Sequence, residues 1–232
     1  MKRLLFTALL ILGFASVVSS QNKIDGIGKF RLGATTEEVK KILIEVGREN
    51  FKVSDFNEIP VVTNDREKLG KFCMQFRQNS DSTFSDAPLV KNEDIFYIEI
   101  CPIVNRVSLY SLRLHFYKDS LYCITGGFSD FLIDAFKLKY GDPKEERKVS
   151  SSGGIEAIDE SWEWDTGTPS VMCRAVRMFR YNTIENEPLP GVNSFSIWDT
   201  EIQAKVAQEE QKIREHLENK KRQERLKELE AL

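Results

Sequence analysis

Histidine and closely paired cysteines are what this 232-residue chain most conspicuously lacks. Its two histidines, His115 and His216, leave little room for a histidine-based nucleophilic or zinc site. HExxH, GxSxG, the Walker phosphate loop and the EF-hand loop are all missing from the sequence. No cofactor or metal is therefore expected. A basic excess is missing too, with 33 Lys and Arg against 36 Asp and Glu, which excludes nucleic acid and anionic membrane surfaces as natural partners. No apolar run approaches the roughly 20 residues a membrane span needs. What is present is ordinary globular material: 41% hydrophobic residues, including 15 Phe, 6 Tyr and 3 Trp spread along the chain. That apolar area is enough for one real core.

Met1, Lys2 and Arg3 form a positive start, and Leu4 to Phe14 is an apolar run followed by the small-residue stretch Ala15 to Ser20. This order predicts an export signal over residues 1–20, cleaved near Ser20 and Gln21. No cysteine stands near that junction, so the expected product is periplasmic or secreted and not lipid-anchored. Removing Lys2 and Arg3 leaves 31 basic against 36 acidic residues.

In an oxidising compartment Cys73, Cys101, Cys123 and Cys173 could form disulfides, and their spacing does not choose the pairing. Intervals of 28, 22 and 50 residues contain no CxxC and no zinc-ligand spacing. Each lies in an apolar, strand-like context (KFCMQF, IEICPI, LYCITG, SVMCRAV), which also suits a buried free thiol. At most one bridge is expected.

Thr35 and Glu38 make a T-x-x-E capping box, and Val39, Ile42, Leu43 and Val46 follow at helical spacing, predicting a helix from Thr36 to Val46 that ends at Gly47. Strands are expected at Phe51 to Phe56, Lys71 to Gln78, Ile95 to Val104 and Val107 to Tyr117. In the last, Tyr110, Leu112, Leu114 and Phe116 share a face. A tight turn at Lys118 to Ser120 leads into Leu121 to Thr125, which Gly126 and Gly127 are expected to break. Residues Asn79 to Asp94 read as a loop. Ser129 is a candidate N-cap for a helix over Phe131 to Tyr140, stopped by Gly141 and Pro143. After a flexible Ser150 to Gly154 stretch come a hairpin, Glu160 to Trp164 and Val171 to Phe179, and a last strand at Ser194 to Trp198.

The fold class that follows is α+β over residues 21–198: an antiparallel sheet, or two in succession, packed on two helices. It reads either as one unit or as two similar halves, 21–104 and 105–198. Residues 199–232 contain no Gly and no Pro and carry nine acidic and eight basic side chains, which predicts a long charged helix. Ile202, Val206, Ile213 and Leu217 share a face that stops there. The first half should dock and the second project, either as a solvated helix or as a partner-binding, coiled-coil arm.

Two constellations could carry function. His115 and Cys123 fall near one another across a hairpin turn, a nucleophile beside a base. Glu160, Trp162 and Trp164 line one strand face, where a carboxylate beside two indoles could stack and bind a sugar, or where the indoles could simply pack.

The stretch KFRLGATTEEVKKIL, through Phe30, Leu32, Gly33, Thr35, Glu38 and Val39, resembles the strand, glycine turn and capped helix that open BamE/SmpA-like and β-lactamase-inhibitor-like envelope domains. FKLKYGDP, residues 136–143, is similar to a helix ending of exported helix-plus-antiparallel-sheet proteins. The resemblance implies an α+β envelope protein. Together these features point to an exported, non-enzymatic module that binds another envelope or secreted protein through its sheet face or terminal helix. The alternative is a hydrolase or carbohydrate-active protein built on carboxylates and tryptophan.

Overall fold

The computed structural model describes residues 23–50, 74–78, 89–104 and 107–230. The predicted signal segment, the strand expected at Phe51 to Phe56, Cys73 and the loop over 79–88 lie outside these residues. In chain order the elements are β1 (Gly26–Ile27), β2 (Phe30–Arg31), α1 (Thr36–Asn50), β3 (Met74–Gln78), β4 (Glu93–Val104), β5 (Val107–Tyr117) and β6 (Ser120–Phe128). Then follow α2 (Asp130–Tyr140), β7 (Lys144–Ser152), β8 (Ile155–Trp164), β9 (Val171–Asn182), β10 (Glu187–Asp199) and α3 (Thr200–Glu230).

The chain is α+β, with one antiparallel eight-stranded sheet ordered β3-β4-β5-β6-β10-β9-β8-β7 beside the small β1-β2 ribbon. Two four-stranded meanders, each preceded by a helix, meet where β6 pairs with β10. The helix-plus-meander unit thus repeats at residue 129, not at 104. A division at 104 would cut the β4–β5 hairpin, whose arms pair from Glu93 with Tyr117 to Val104 with Val107. Two separate sheets do not form, because the last strand returns to the middle of the molecule.

Register explains the core. Phe96, Leu114, Ile124, Ile197, Cys173 and Trp164 stand opposite one another in a single row across six strands. All are buried. Each large aliphatic or aromatic side chain in such a row contributes about 1.5–3 kcal/mol of transfer free energy. Val39, Leu43 and Val46 of α1 and Leu132, Ile133 and Phe136 of α2 join the same buried cluster, as do Ile24, Ile27 and Phe30. This side is called the helix face below.

The capping box forms as its residues require: Thr35 N–H donates to Glu38 Oε2 at 2.8 Å, and Glu38 N–H to Thr35 Oγ1 at 3.2 Å. The helix runs past Gly47 to Asn50, since glycine costs only about 1 kcal/mol in a helix with its apolar face already docked. At α2 Ser129 occupies the N-cap position but makes no side-chain cap bond. Gly141, at φ 88, ends that helix as expected.

Three further expectations need correction. Tyr110 does not share a face with Leu112: a bulge between Tyr110 and Arg113, with Ser111 at φ 49, reverses the alternation, so Leu109 is buried and Tyr110 is exposed. Gly126 and Gly127 do not break β6. A Cβ at Gly126 would lie 3.1 Å from the Tyr110 carbonyl oxygen, so glycine stands where the neighbouring backbone comes close at that bulge. Finally, Ser150 to Gly154 is not a loose linker. It ends β7 and turns into β8, and β7 went unpredicted because all nine of its residues are exposed at the sheet edge and carry no apolar alternation.

Candidate functional site

The sheet face opposite α1 and α2 carries a second row, one residue out of phase with the core. Tyr97, Arg113, Thr125, Ser196, Arg174, Glu163 and Lys144 stand opposite one another in turn across seven strands. None of them is buried. Period-two alternation puts every one on the side away from the helices. Tyr110, at 45% exposure, belongs to the same side. Arg113 lies 5.9 Å from the Tyr97 ring centre, and Tyr97 Oη and Ser111 Oγ are 3.3 Å apart, so the tyrosine is held against its neighbours. Tyrosine, arginine and small hydroxyl residues on a hydrogen-bonded frame make up this open face.

One end of the open face is covered. The next row, Ile95, His115, Cys123, Trp198 and Met172, runs beneath or beside α3, whose Ile202, Val206 and Ile213 pack on Tyr117, Tyr122, Cys123 and Trp198. Leu217, the last member of the predicted stripe, is exposed. The expected pairing of His115 with Cys123 is present, directly across the β5–β6 ladder. Sequence reading missed what joins them. An irregularity at His115 and Phe116 makes Tyr122 an extra residue on β6, so Tyr122 and Cys123 both reach this cluster, where alternation would have separated them. Glu93, buried at 8% exposure, accepts a 2.8 Å hydrogen bond from Tyr122 Oη and lies 3.5 Å from His115 Nδ1. Burial first, and then the Glu93 carboxylate beside it, hold the Tyr122 phenol well above its ordinary range.

The tryptophan constellation divides. Trp162 and Trp164 are on the helix face at 9% and 3% exposure. Trp164 Nε1 donates to the Gly141 carbonyl at 3.1 Å, and its ring stacks edge-on against Phe136 of α2. Glu160 continues the same strand face beyond α2, in a row with Arg147 and Arg177. Arg177 pairs with Asp130 and Glu160 and lies 5.4 Å from the Trp162 ring centre. Both indoles are packed, and an arginine stands over Trp162.

Near Trp164 there is nonetheless a cavity of about 570 Å³, formed by the α2–β7 and β8–β9 connections and lined by Asp142, Lys144, Glu163, Asp165 and Thr168. Cys101, Cys123 and Cys173 are free and buried, with no disulfide among them. Burial raises the Cys101 and Cys123 thiols to about 12 and Cys173 further still. No cluster of three metal-ligating side chains occurs among the described residues, and no described helix is long and apolar enough to cross a membrane. No family model matches the chain, and no curated protein or solved structure does so either.

Proposed function

We propose that this chain is an exported, soluble, non-catalytic module of the bacterial envelope or the secreted fraction, and that it holds a partner protein on its open sheet face. The observation supporting this is the seven-residue row from Tyr97 to Lys144, whose side chains are polar or aromatic and unburied while the opposite face carries the core. Tyrosine and arginine are enriched at interface cores: tyrosine adds large contact area at low entropic cost, and arginine adds a planar fork of directed hydrogen bonds. A sheet fixes their spacing, so little ordering remains to be done on binding. Export rests on residues 1–20. The envelope assignment draws on the BamE/SmpA-like and β-lactamase-inhibitor-like resemblance of residues 29–43.

Photo-crosslinking in cells tests the reading. A crosslinker at Thr125 or Ser196 should yield a protein adduct that Arg113→Glu with Arg174→Glu abolishes, while one at the remote Ile184 yields none. Adducts at Ile184 alone would refute it. A second reading, a carbohydrate-active or hydrolytic site, draws on the cavity beside Trp164 with its carboxylates Asp142, Glu163 and Asp165. It requires saccharides to change tryptophan fluorescence, with Glu163→Gln removing the response.

A further inference from the structure

The seat of α3 is chemically unlike an ordinary helix seat. Among the described residues of α3 only Val206 is buried, with Ile202 and Ile213 half-buried. They pack on a small cluster of Val90, Tyr117, Tyr122, Cys123 and Trp198, and the Glu93 carboxylate and His115 imidazole stand beside its Tyr122 and Cys123. The polar contacts of this group lie within the sheet, Tyr122 to Glu93 at 2.8 Å and His115 to Glu93 at 3.5 Å. One hydrogen bond crosses to the helix, from Tyr117 Oη to Glu209 Oε1 at 2.7 Å. The helix start is fixed in a different way. Asp199 Oδ1 accepts from the backbone N–H of Glu201 at 3.0 Å and of Ile202 at 2.9 Å, and Thr200 N–H donates to the Ser170 carbonyl at 2.8 Å.

Among the described residues, lifting α3 therefore opens only the small cluster of Val90, Tyr117, Tyr122, Cys123 and Val206 and breaks the Tyr117–Glu209 hydrogen bond, while the far larger main core stays closed. A cover held this lightly opens far more often than the core unfolds. We infer that α3 is a hinged cover pivoting at Asp199–Thr200, and that its release bares a Cys123–His115–Glu93 group on the sheet. Closed, the thiol is held up at about 12 by burial, with the Glu93 charge adding to the effect, and it is inert. Open, it is solvated and returns toward the ordinary thiol range, with His115 across the ladder to take its proton. Tyr122 and Glu93, and Glu209 and Glu210 from the helix, are the other titratable groups around the thiol. This inference stands whether or not the open face binds a partner.

Iodoacetamide labelling of the native protein, read by peptide mass spectrometry, tests it. The Cys123 thiolate displaces iodide to form the thioether. Cys101 and Cys173, fully buried in the main core, report global unfolding. Cys123 should label about tenfold or more faster than either, as local opening outpaces global unfolding. Glu209→Ala, which removes the hydrogen bond from Tyr117 and touches no residue of the main core, should speed Cys123 alone several-fold, and His115→Ala in that background should slow it again. One common rate for all three cysteines, or a Glu209→Ala effect shared equally among them, would overturn the hinged cover.

Discussion

Asp119 joins the sheet to the first helix through one carboxylate oxygen. Its Oδ1 accepts from Thr36 Oγ1 at 2.6 Å and from Thr36 N–H at 3.0 Å, so the β5–β6 turn caps the positive end of α1. Lys118 and Asp119 both sit at positive φ, 53 and 60, as a type I′ hairpin turn demands. The side-chain and then the backbone bond from Thr36 hold the Asp119 carboxyl below its usual range. A folded value below the unfolded one means its stabilisation is present at neutral pH and is lost as pH falls through the lowered value. Asp119→Asn tolerates the same backbone and isolates the charge. It should lower stability by roughly 0.5 kcal/mol at pH 7, an exposed and screened interaction, and by nothing once the native carboxyl is protonated. Urea melts at pH 7 and along a series of falling pH, in which the difference between the two proteins should vanish, check both limits. Trp164 is the opposite kind of residue. Truncation to Ala should cost about 3–5 kcal/mol through the cavity it leaves beneath α2, and Trp164→Phe about 1 kcal/mol for the lost bond to Gly141, both read as shifts in denaturation midpoint.

At the scale of elements, β6 owes its continuity to Gly126. Valine there meets the Tyr110 carbonyl, and Gly126→Val should destabilise by about 2 kcal/mol, measured by thermal melts. The distal part of α3 should behave differently. Removing residues 220–232 takes away no buried described side chain, so the melting temperature should stay within about 2 °C. These contrasts also mark how far the sequence could be read. Apolar runs and alternation located β3, β4, β5, β9 and parts of β6, β8 and β10, and capping and stop residues located α1 and α2, because these signals are local. The Tyr97-to-Lys144 face was visible only as what alternation left over. The bulges at Ser111 and Tyr122 escaped because a single inserted residue leaves composition unchanged while exchanging the two faces. Edge strand β7 escaped because an element exposed all round has no reason to alternate.

Over the whole molecule, the last strand made is a central strand of the sheet. Until β10 arrives, β6 has a bare edge, and β9, β8 and β7 have no strand pairing to the first meander. A chain ending at residue 186 should therefore fail to form a soluble monomer, although it keeps both core helices. Gel filtration of that truncation against the full-length chain makes the comparison. The contact across the β6–β10 seam joins Gly126 to Phe195, and contacts of such long sequence separation are slow to form. A nascent chain lacking its final forty residues cannot close this seam, so the two meanders stay unjoined until synthesis is nearly complete. Under the export proposed above, late closure of this kind would suit passage across a membrane as an extended thread, and the position of one strand supplies the delay.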